Sequence, residues 1–391
     1  MNLDDYNYSY DKSIIASYPL KRRDESKLLV YNKDKIIDSK FYNITNYLPS
    51  DTILFFNDTK VIKGRIKIKK DTGAKIELLL INRINDTYSL KFKKIYKNNI
   101  AFESLIGNSK KWKLNSEIIL KKKNKIRLVK VESNKVLFSW NENILWSDII
   151  NNIGEMPIPP YLNRSSQKID NKVYQTIYSK KEGAIASPTA GLHFTKKTFK
   201  EINKKNITID YLTLHVGMGT FKPITSKNIH EHNMHTEEVF FTKKNLKNIL
   251  NHNSITAVGT TSIRILESIY WFGVKLLKKR NIEEFCVKSF EPYEKYKFLP
   301  TKNESICKVI DYMNKKNINT IRGKTSIFIF PGYKFMICNQ LITNFHLPKS
   351  TLILLIAAFI GDSWKKVYKF AIKNNYRFFS YGDSSLLYKK D

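Results

Sequence analysis

The chain has 391 residues, enough for two or three domains, and its 42% hydrophobic content excludes wholesale disorder. Its 68 Lys and Arg residues against 35 Asp and Glu give a formal net charge of +33. Such a surplus favours an anionic partner, with nucleic acid ahead of a membrane. Coding by AT-rich DNA would also enrich Lys, Asn and Ile without any selection for binding.

The cysteines and the apolar stretches indicate the cellular compartment in which the protein is expected. Cys286, Cys307 and Cys338 are far apart and form no CxxC pair, which argues against a zinc ribbon or a disulfide framework and fits a reducing compartment. Residues 1–5 are acidic at their end and lack an apolar core, so we expect no signal peptide. The most apolar stretch, residues 352–360, is far shorter than the roughly 20 residues that span a bilayer. We therefore expect a cytoplasmic protein without a membrane partner.

The first half of the chain contains two kinds of predicted strand: one buried strand, and then a series of short, partly alternating strands. Residues 51–59 read as a buried strand that ends in a polar turn at Asp58 and Thr59. Short, partly alternating runs follow between Lys67 and about Trp140, with polar Asn and Asp pairs between several of them. The predicted strands there are residues 76–80, 88–92, 118–120, 126–131 and 135–138. Short strands at such spacing are typical of a small β-barrel or sandwich.

After a Pro-rich turn at residues 153–161, strand-like and helical runs alternate. The predicted strands are residues 207–216, 254–258 and 325–330, and the predicted helices are residues 196–205, 243–251, 262–278 and 351–360. This alternation predicts an α/β domain with a mixed or parallel sheet. The fold class is therefore α/β (α+β mixed), with a main domain of residues 1–66 and 153–391 and an inserted small antiparallel β-barrel domain of residues 67–152.

Two stretches rich in Gly, Thr and His stand out against the Lys and Asn background. In residues 183–195, small residues would let the backbone approach a ligand, and His193 precedes a helix predicted to begin at Thr195. A tight turn with a structural histidine explains the same residues. In residues 212–223 a strand runs into Gly217-Met218-Gly219, but no Gly-x-Gly-x-x-Gly follows, so the fingerprint of a Rossmann methyltransferase is missing.

The next two stretches leave binding and structural roles open. His230, His232 and His235 do not have HExxH spacing and have no cysteine nearby, which argues against a metal. A loop that supplies one histidine and one carboxylate to a site, or a solvated loop, fits better. In residues 257–268 the hydroxyls after Gly259 would either cap a helix or hold a polar ligand at its N-terminus.

The last two stretches lie near the end of the chain. Asn344 and His346 alternate with apolar neighbours and would share one face of a short strand. Ser350 or Thr351 would then cap the apolar helix that follows. Residues 376–383 are aromatic and end in a Gly-Asp turn. Ordinary packing is the alternative explanation for both stretches.

Taken together, the motifs extend in one order over nearly the whole chain. They are YPLKRRD (18–24), FNDTKVI (56–62), YQTIY (174–178), PTAGLHFT (188–195), LHVGMGTF (214–221), TNFHLPKST (343–351) and FFSYGD (378–383). In these motifs the chain resembles the S-adenosylmethionine:tRNA ribosyltransferase-isomerase family of queuosine biosynthesis. It departs at Met218, where the family usually has a small residue, and at Lys222, where Arg is usual.

The resemblance implies a fold, a reaction and partners. It implies an α/β main domain with a β-barrel insert, in a monomeric protein. S-adenosylmethionine would be a co-substrate, with no permanently bound cofactor and no metal. The other substrate would be a tRNA with a GUN anticodon that carries 7-aminomethyl-7-deazaguanine at the wobble position. Transfer and isomerisation of the ribosyl group would give epoxyqueuosine in tRNA, with adenine and methionine released.

This reaction requires proton transfers. The sulfonium acidifies the protons on the ribose 5′ carbon, and a base must remove one of them. An acid must protonate the departing adenine, and the attacking aminomethyl group must be uncharged. Carboxylates would also stabilise the positive charge that develops on the sugar. The candidate proton-transfer residues and their carboxylate partners are His193, His215, His235, His346, Asp58, Glu237 and Asp383.

Binding residues follow from the same reasoning. The candidates for holding S-adenosylmethionine are Thr189, Gly191, Gly217, Gly219, Thr260, Thr261 and Asn344, with Arg264 on its carboxylate and Tyr333 and Tyr381 stacked on a base. The candidates for tRNA backbone contact in the insert are Lys91, Lys93, Lys94, Lys121, Lys122, Lys123 and Lys125, with a solvated face as the alternative. A non-catalytic RNA-binding protein and an S-adenosylmethionine-dependent RNA methyltransferase are the rival functions.

Overall fold

The computed structural model describes residues 2–84, 98–121, 125–217, 224, 228–232, 234–278 and 282–390. The predicted strand at residues 88–92 lies outside the described residues. So do the site candidates Gly219, Lys91, Lys93, Lys94, Lys122 and Lys123.

The described residues contain two large sheets and a short two-stranded pair. In chain order the strands are β1 (Lys27–Asn32), β2 (Lys35–Lys40), β3 (Thr52–Asn57), β4 (Thr59–Val61), β5 (Arg65–Lys69), β6 (Lys75–Ile84), β7 (Asn98–Gly107), β8 (Glu117–Lys121), β9 (Lys125–Glu132), β10 (Lys135–Trp140), β11 (Lys181–Ala184), β12 (Thr208–Leu214), β13 (Glu237–Thr242), β14 (Ser254–Val258), β15 (Phe285–Val287), β16 (Thr320–Thr325), β17 (Gln340–Asn344) and β18 (Ser384–Tyr388).

Among the described residues the larger sheet has ten strands, in the order β15-β16-β13-β12-β3-β14-β17-β18-β1-β2. Its centre, β12-β3-β14-β17, is parallel throughout, and antiparallel pairs flank it on both sides. Every residue of β3 and of β17 is buried. A strand that is buried on both faces reads as a continuous apolar run, which is why residues 51–57 were recognisable in the sequence.

The described residues form eight α-helices. In chain order they are α1 (Trp146–Ile153), α2 (Asp170–Val173), α3 (Lys196–Lys204), α4 (Lys243–Asn251), α5 (Thr260–Lys278), α6 (Lys302–Lys315), α7 (Thr351–Ile360) and α8 (Ser363–Lys373). One core joins the sheet to α4, α5, α6, α7 and α8, and a second core on the opposite face includes residues of α3. None of the helices in the described part of the chain is long and apolar enough to cross a membrane.

The predicted helices are confirmed, with small shifts at their ends. Helices α4 and α7 have the predicted bounds, and α5 begins two residues earlier than predicted. Thr195 precedes α3 as its N-cap, and its Oγ1 accepts the Thr198 N–H at 3.2 Å. Ser350 caps α7 by accepting the Ile353 N–H at 3.3 Å. Helices α1, α2, α6 and α8 were not predicted.

The second sheet is antiparallel and barrel-like, and its six described strands lie in the order β5-β6-β7-β10-β9-β8. It has its own apolar core, on which α1 packs through Ile149, Ile150 and Ile153. The predicted fold class, a mixed α/β main domain with a small antiparallel barrel insert, is therefore confirmed. The exact boundaries at residues 67 and 152 stay a prediction, because β5 already begins at Arg65.

One predicted strand was wrong. Residues 325–330 were expected to be a strand, but β16 ends at Thr325 and the next five residues are irregular. They are nevertheless buried from Ile327 to Phe330. Backbone N–H groups of this segment bond to carbonyls at and after the end of β15: Ser326 N–H to the Val287 oxygen at 2.9 Å, and Phe328 N–H to the Ser289 oxygen at 3.3 Å. An apolar run therefore marked burial here and not regular structure.

Candidate active site

A cleft opens where the parallel strands of the main sheet end. The last residues of β12, β3, β14 and β17 meet at one edge because parallel strands share their direction. Counted out to its mouth, the cleft has a volume of about 630 Å³. Its walls come from six segments: Tyr161, residues 187–190, Val216, residues 259–261, residues 343–347 with Ser350 and Leu352, and Phe379 with Ser380.

The walls of this cleft carry unpaired polar atoms. Ser187 Oγ, Thr261 Oγ1 and Asn344 Oδ1 are buried and have no hydrogen-bond partner among the described residues. All three side chains line the cleft. A buried polar atom without a partner is rare in folded proteins and calls for an explanation. A polar ligand in the cleft would supply the missing partners.

Asn344 is oriented by His193, which lies behind the wall. The Asn344 amide donates from Nδ2 to His193 Nε2 at 3.1 Å, and His193 Nδ1 lies 2.9 Å from Ser26 Oγ. Burial lowers the pKa of His193 to about 4, so the ring is neutral at neutral pH. His193 does not line the cleft itself. Its place in the structure suits orientation of Asn344 better than direct contact with a ligand.

Among the described residues that line the cleft, His346 is the only imidazole. Burial lowers its pKa to about 3, so the ring is neutral at neutral pH. Its Nε2 lies 2.8 Å from Thr343 Oγ1. The hydroxyl of Tyr368 accepts its backbone N–H at 3.0 Å, and the hydroxyl of Tyr8 donates to its carbonyl. The backbone that carries this imidazole is thus held from two sides.

Phe379 contributes an aromatic wall at an energetic cost. Its φ is +67°, in the left-handed region that bulky residues rarely adopt. Its backbone N–H bonds to the Phe345 oxygen at 3.2 Å. Strain of this kind persists only where the surroundings enforce it, and it concentrates at functional sites. The cleft edge is such a place.

A smaller second cavity, of about 290 Å³ to its mouth, adjoins the cleft through the shared side chain of Leu352. His235 and Arg264 line it, and Arg264 forms an ion pair with the buried Glu237. Burial raises the pKa of Glu237, but Arg264 and His235 outweigh it and hold that pKa at about 2. The Glu237 carboxylate therefore stays ionised and is occupied by its ion pair with Arg264.

The two described imidazoles of the histidine-rich segment have different neighbours. His235 Nε2 lies 3.2 Å from Glu237 Oε1, while the His232 ring lies 5.5 Å from that of Phe328. In the described part of the chain, no group of three or more His, Cys, Asp or Glu side chains is arranged to hold a metal ion.

His215 and Asp58 lie next to the cleft without lining it. His215 Nδ1 lies 2.8 Å from Thr59 Oγ1, and burial lowers the pKa of the ring. The ring fills the space beside Gly183, where any Cβ would lie 2.8 Å from it. Asp58 accepts a hydrogen bond from Thr213 Oγ1 at 2.6 Å. Successive side chains point to opposite sides of an extended chain, so Val216 faces the cleft and His215 faces away.

Four other candidates do not line the cleft and have structural surroundings of their own. Asp383 accepts hydrogen bonds from the backbone and side chain of Arg377 and from Lys27 N–H. Tyr381 donates to Asp170 at 3.3 Å. A Cβ on Gly191 would lie 1.8 Å from the Tyr178 hydroxyl, so this glycine permits close packing. Gly217 donates to Glu237 at 3.3 Å.

Tyr333 lies in the core, so the structure does not place its ring where a base could stack. Its hydroxyl donates to Glu267 at 3.0 Å and accepts the Trp271 Nε1–H at 2.7 Å. The backbone N–H groups of residues 336–338 also bond to Glu267. This carboxylate gathers the segment around itself, and the tyrosine is one of its hydrogen-bond donors.

The structure therefore brings together five predicted residues from separate segments and adds others. The predicted residues that line the cleft are Thr189, Thr260, Thr261, Asn344 and His346. Sequence reasoning missed Tyr161, Ser187, Phe379 and Ser380. Ser187 and Ser380 lie inside stretches that were recognised, so proximity to those motifs was the available signal. Tyr161, whose hydroxyl bonds to Ser380 Oγ, ends the Pro-rich turn and carried no separate signal.

Comparison with known proteins identifies the family. A family model described as queuosine biosynthesis protein matches residues 3–387. The S-adenosylmethionine:tRNA ribosyltransferase-isomerase of Buchnera aphidicola subsp. Schizaphis graminum is 38% identical, with 98% of this chain and 96% of that protein covered. The protein of the same name from Sulfurihydrogenibium is 37% identical over 99% of this chain and 100% of that protein.

A solved structure also matches. The crystal structure of S-adenosylmethionine tRNA ribosyltransferase from Thermotoga maritima is 25% identical, with 98% of this chain and 99% of that chain covered and a TM-score of 0.47. On the full-length match to the family model and to the curated relatives, this chain belongs to the queuosine biosynthesis protein family.

Proposed function

We propose that this protein is an S-adenosylmethionine:tRNA ribosyltransferase-isomerase. It transfers the ribosyl group of S-adenosylmethionine to the aminomethyl group of 7-aminomethyl-7-deazaguanine at the tRNA wobble position and isomerises it. The products are epoxyqueuosine in tRNA, adenine and methionine. The names of relatives that match over almost their whole length support this activity. The structural observation that carries it is the cleft with three unpaired polar atoms beside a neutral imidazole.

The cleft suits the uncharged part of S-adenosylmethionine. Hydroxyl and amide groups of Ser187, Thr261 and Asn344 pair well with ribose hydroxyls and with the edge of adenine. Phe379 offers a ring for stacking on a base. A largely apolar cavity with a few placed polar groups is the usual form of a small-molecule site.

His346 is the best-placed proton acceptor. The sulfonium makes the hydrogens on the ribose 5′ carbon acidic, and removal of one needs a group that is unprotonated before the reaction. Burial keeps His346 in that form at neutral pH. The proton that it takes can then be delivered to the adenine nitrogen as adenine leaves. When Nε2 carries the ring proton toward Thr343, Nδ1 is the accepting atom.

The tRNA would meet the lysine-rich insert. The target base must leave the stack of the anticodon loop to enter the cleft, while the backbone needs cations. Of the insert candidates, Lys125 is exposed where β9 begins, next to the end of β8. Lys91, Lys93, Lys94, Lys121, Lys122 and Lys123 remain candidates from the sequence. A GUN anticodon, a monomeric state and a cytoplasmic location complete the proposal.

Product analysis tests this function. The protein is incubated with S-adenosylmethionine and tRNA that carries the aminomethyl-deazaguanine, and the products are separated by chromatography and mass spectrometry. We expect adenine and methionine in amounts equal to the modified tRNA. Release of S-adenosylhomocysteine would identify a methyltransferase instead, and tRNA binding without any product would identify a binding protein.

The His346→Ala variant tests the assigned proton acceptor in the same assay. Loss of a general base typically lowers turnover by roughly 100-fold or more. His252→Ala is the matched control, because His252 lies at the end of α4 and bonds to Asn248 and Thr208. Equal turnover of the two variants would remove His346 from the mechanism.

A further inference from the structure

Arg264 has an unused donor inside the second cavity. The residue is 5% exposed, and its Nη2 has no hydrogen-bond partner among the described residues. Its other groups are occupied, since Nη1 pairs with Glu237 Oε2 and Nε donates to the Ile327 oxygen at 3.3 Å. A guanidinium favours planar, two-pronged contact with carboxylates. A buried donor of this kind is costly unless something binds it.

The guanidinium is held rigidly by its surroundings. Glu237 is anchored by the Gly217 N–H at 3.3 Å and by His235 Nε2 at 3.2 Å. Because Glu237 keeps Arg264 in place, the direction of Nη2 is set before any ligand arrives. Such preorganisation lowers the entropic cost of binding.

One helix N-terminus strengthens the preference for an anion. Helix α7 begins at Thr351, which lines the second cavity. The first N–H groups of a helix have no partner within it and carry a partial positive charge. With 10 residues, α7 is long enough to carry this dipole, and its field adds to that of Arg264.

We infer that the second cavity is a subsite for the carboxylate of an α-amino acid, with Arg264 Nη2 as its charged donor. The inference rests on the proposed function and deepens it. The cleft takes the nucleoside part of the sulfonium substrate, and the chain of its amino-acid part passes Leu352, which lines both cavities, to reach Arg264. Met234 and Phe328 give that chain an apolar wall. Arg264 is then a determinant of specificity for the carboxylated substrate.

A comparison of two ligands on the unaltered protein tests the subsite. Dissociation constants are measured by calorimetry for S-adenosylmethionine and for decarboxylated S-adenosylmethionine, which keeps the sulfonium and the amine. Loss of a hydrogen bond to a charged group weakens binding by about 10-fold or more. We expect that ratio for the unaltered protein. Equal affinities would overturn the inference while leaving the proposed function intact.

A paired variant shows whether Arg264 is responsible. Arg264→Gln combined with Glu237→Gln removes both charges together, so neither is left buried and unpaired. Its ligand ratio should fall to about 1. The matched control is Arg322→Gln with Glu238→Gln, which removes an ion pair on the exposed side of β13 and β16 and should keep the full ratio. A full ratio in the first variant would place the carboxylate elsewhere.

A second variant and a second ligand complete the test of the subsite. If the first variant does not fold, Arg264→Lys keeps the charge but cannot offer Nη2, and it should also lose most of the ratio. Free L-methionine is titrated to learn whether the product alone occupies the subsite, and binding that depends on Arg264 would support the same carboxylate contact. If the unaltered protein binds neither nucleoside ligand and releases no adenine, the proposed function has failed, and the subsite inference fails with it.

Discussion

At the scale of single residues, neighbouring hydroxyls on α5 have opposite surroundings. Ser262 Oγ donates to the Val258 oxygen at 2.8 Å and so belongs to the fold. Thr261 Oγ1 is buried and has no partner among the described residues, although it lines the cleft. A hydroxyl that is hydrogen-bonded inside the protein contributes to stability, whereas a buried hydroxyl that is free to bond to a ligand contributes to binding.

Thr261→Val should therefore weaken substrate binding without destabilising the protein. Valine keeps the shape and removes an unpaired polar atom, so the melting temperature should stay equal or rise. The KM for S-adenosylmethionine should increase about 10-fold, the effect of one missing hydrogen bond. The adjacent control, Ser262→Ala, should lose about 1 kcal/mol of stability and keep its KM. Calorimetric melting and initial rates measure both, and the opposite pattern would contradict the assigned role of Thr261.

The buried histidines predict a pH dependence of stability. Burial lowers the pKa of His193 to about 4 and that of His346 to about 3, against about 6.5 in an unfolded chain. Below pH 6.5, His193 and His346 therefore become protonated in the unfolded state while they stay neutral in the folded state. The free energy of unfolding should fall as the pH falls from 6.5 toward 4, by about 2 kcal/mol per histidine at pH 5.

His193→Gln tests this pH dependence because it removes one of the two groups. Between pH 6.5 and pH 5, its free energy of unfolding should fall less steeply than that of the unaltered protein, with a slope that is smaller by about 1 kcal/mol per pH unit. Urea unfolding followed by tryptophan fluorescence at several pH values gives both curves. Parallel curves would mean that folding does not lower the pKa of His193.

At the scale of elements, the N-terminal segment supports one wall of the cleft. Tyr8 donates its hydroxyl to the His346 carbonyl, and its ring lies 5.0 Å from that of Tyr368, which binds the His346 N–H. Lys349 N–H bonds to the Tyr6 oxygen at 3.1 Å, so the segment also holds the end of this loop. Residues far apart in the chain thus fix the position of His346.

Tyr8→Phe should expose this positioning role. Without the hydroxyl, the imidazole is held less firmly, so kcat should fall about 10-fold while the KM for S-adenosylmethionine stays nearly constant. Tyr10→Phe is the control, because the hydroxyl of Tyr10 makes no hydrogen bond with the described residues and its ring lies 5.7 Å from that of Tyr8. A loss of stability with unchanged kcat would make Tyr8 a purely structural residue.

At the scale of the whole molecule, the net charge of +33 makes tRNA binding sensitive to salt. Each phosphate that a lysine neutralises releases counterions, so the slope of log affinity against log salt steepens with the number of neutralised phosphates. The insert forms its own sheet, and we expect its lysines to act on the tRNA backbone and not on the reacting base.

A charge-removal experiment distinguishes the insert from the general surface. Changing Lys121, Lys122, Lys123 and Lys125 to Gln should lower the salt slope by about 0.7 to 0.9 for each phosphate that these lysines neutralise. The control changes Lys365, Lys366, Lys369 and Lys373 of α8, and its slope should remain that of the unaltered protein. Filter binding at a series of salt concentrations measures both. Equal slopes for the two variants would assign the insert lysines to a solvated face.

Several elements could be predicted because their signals are local. The apolar runs of β3 and α7, the helix start at Thr195, a cap at Ser350 or Thr351, and the short alternating strands of the insert all depend on neighbours within a few residues. The ordered motifs also determined the family. These features could be predicted because propensity, capping and periodicity act over short distances.

Only the tertiary structure decided which motif residues meet. It placed Asn344 and His346 in the cleft, put His193 behind the wall, and carried Tyr333 into the core around Glu267. It also brought in Tyr161, which had no local signal. The physical reason is that strand order and packing against distant segments determine which side chains share a cavity, and motif spacing along the chain does not encode that arrangement.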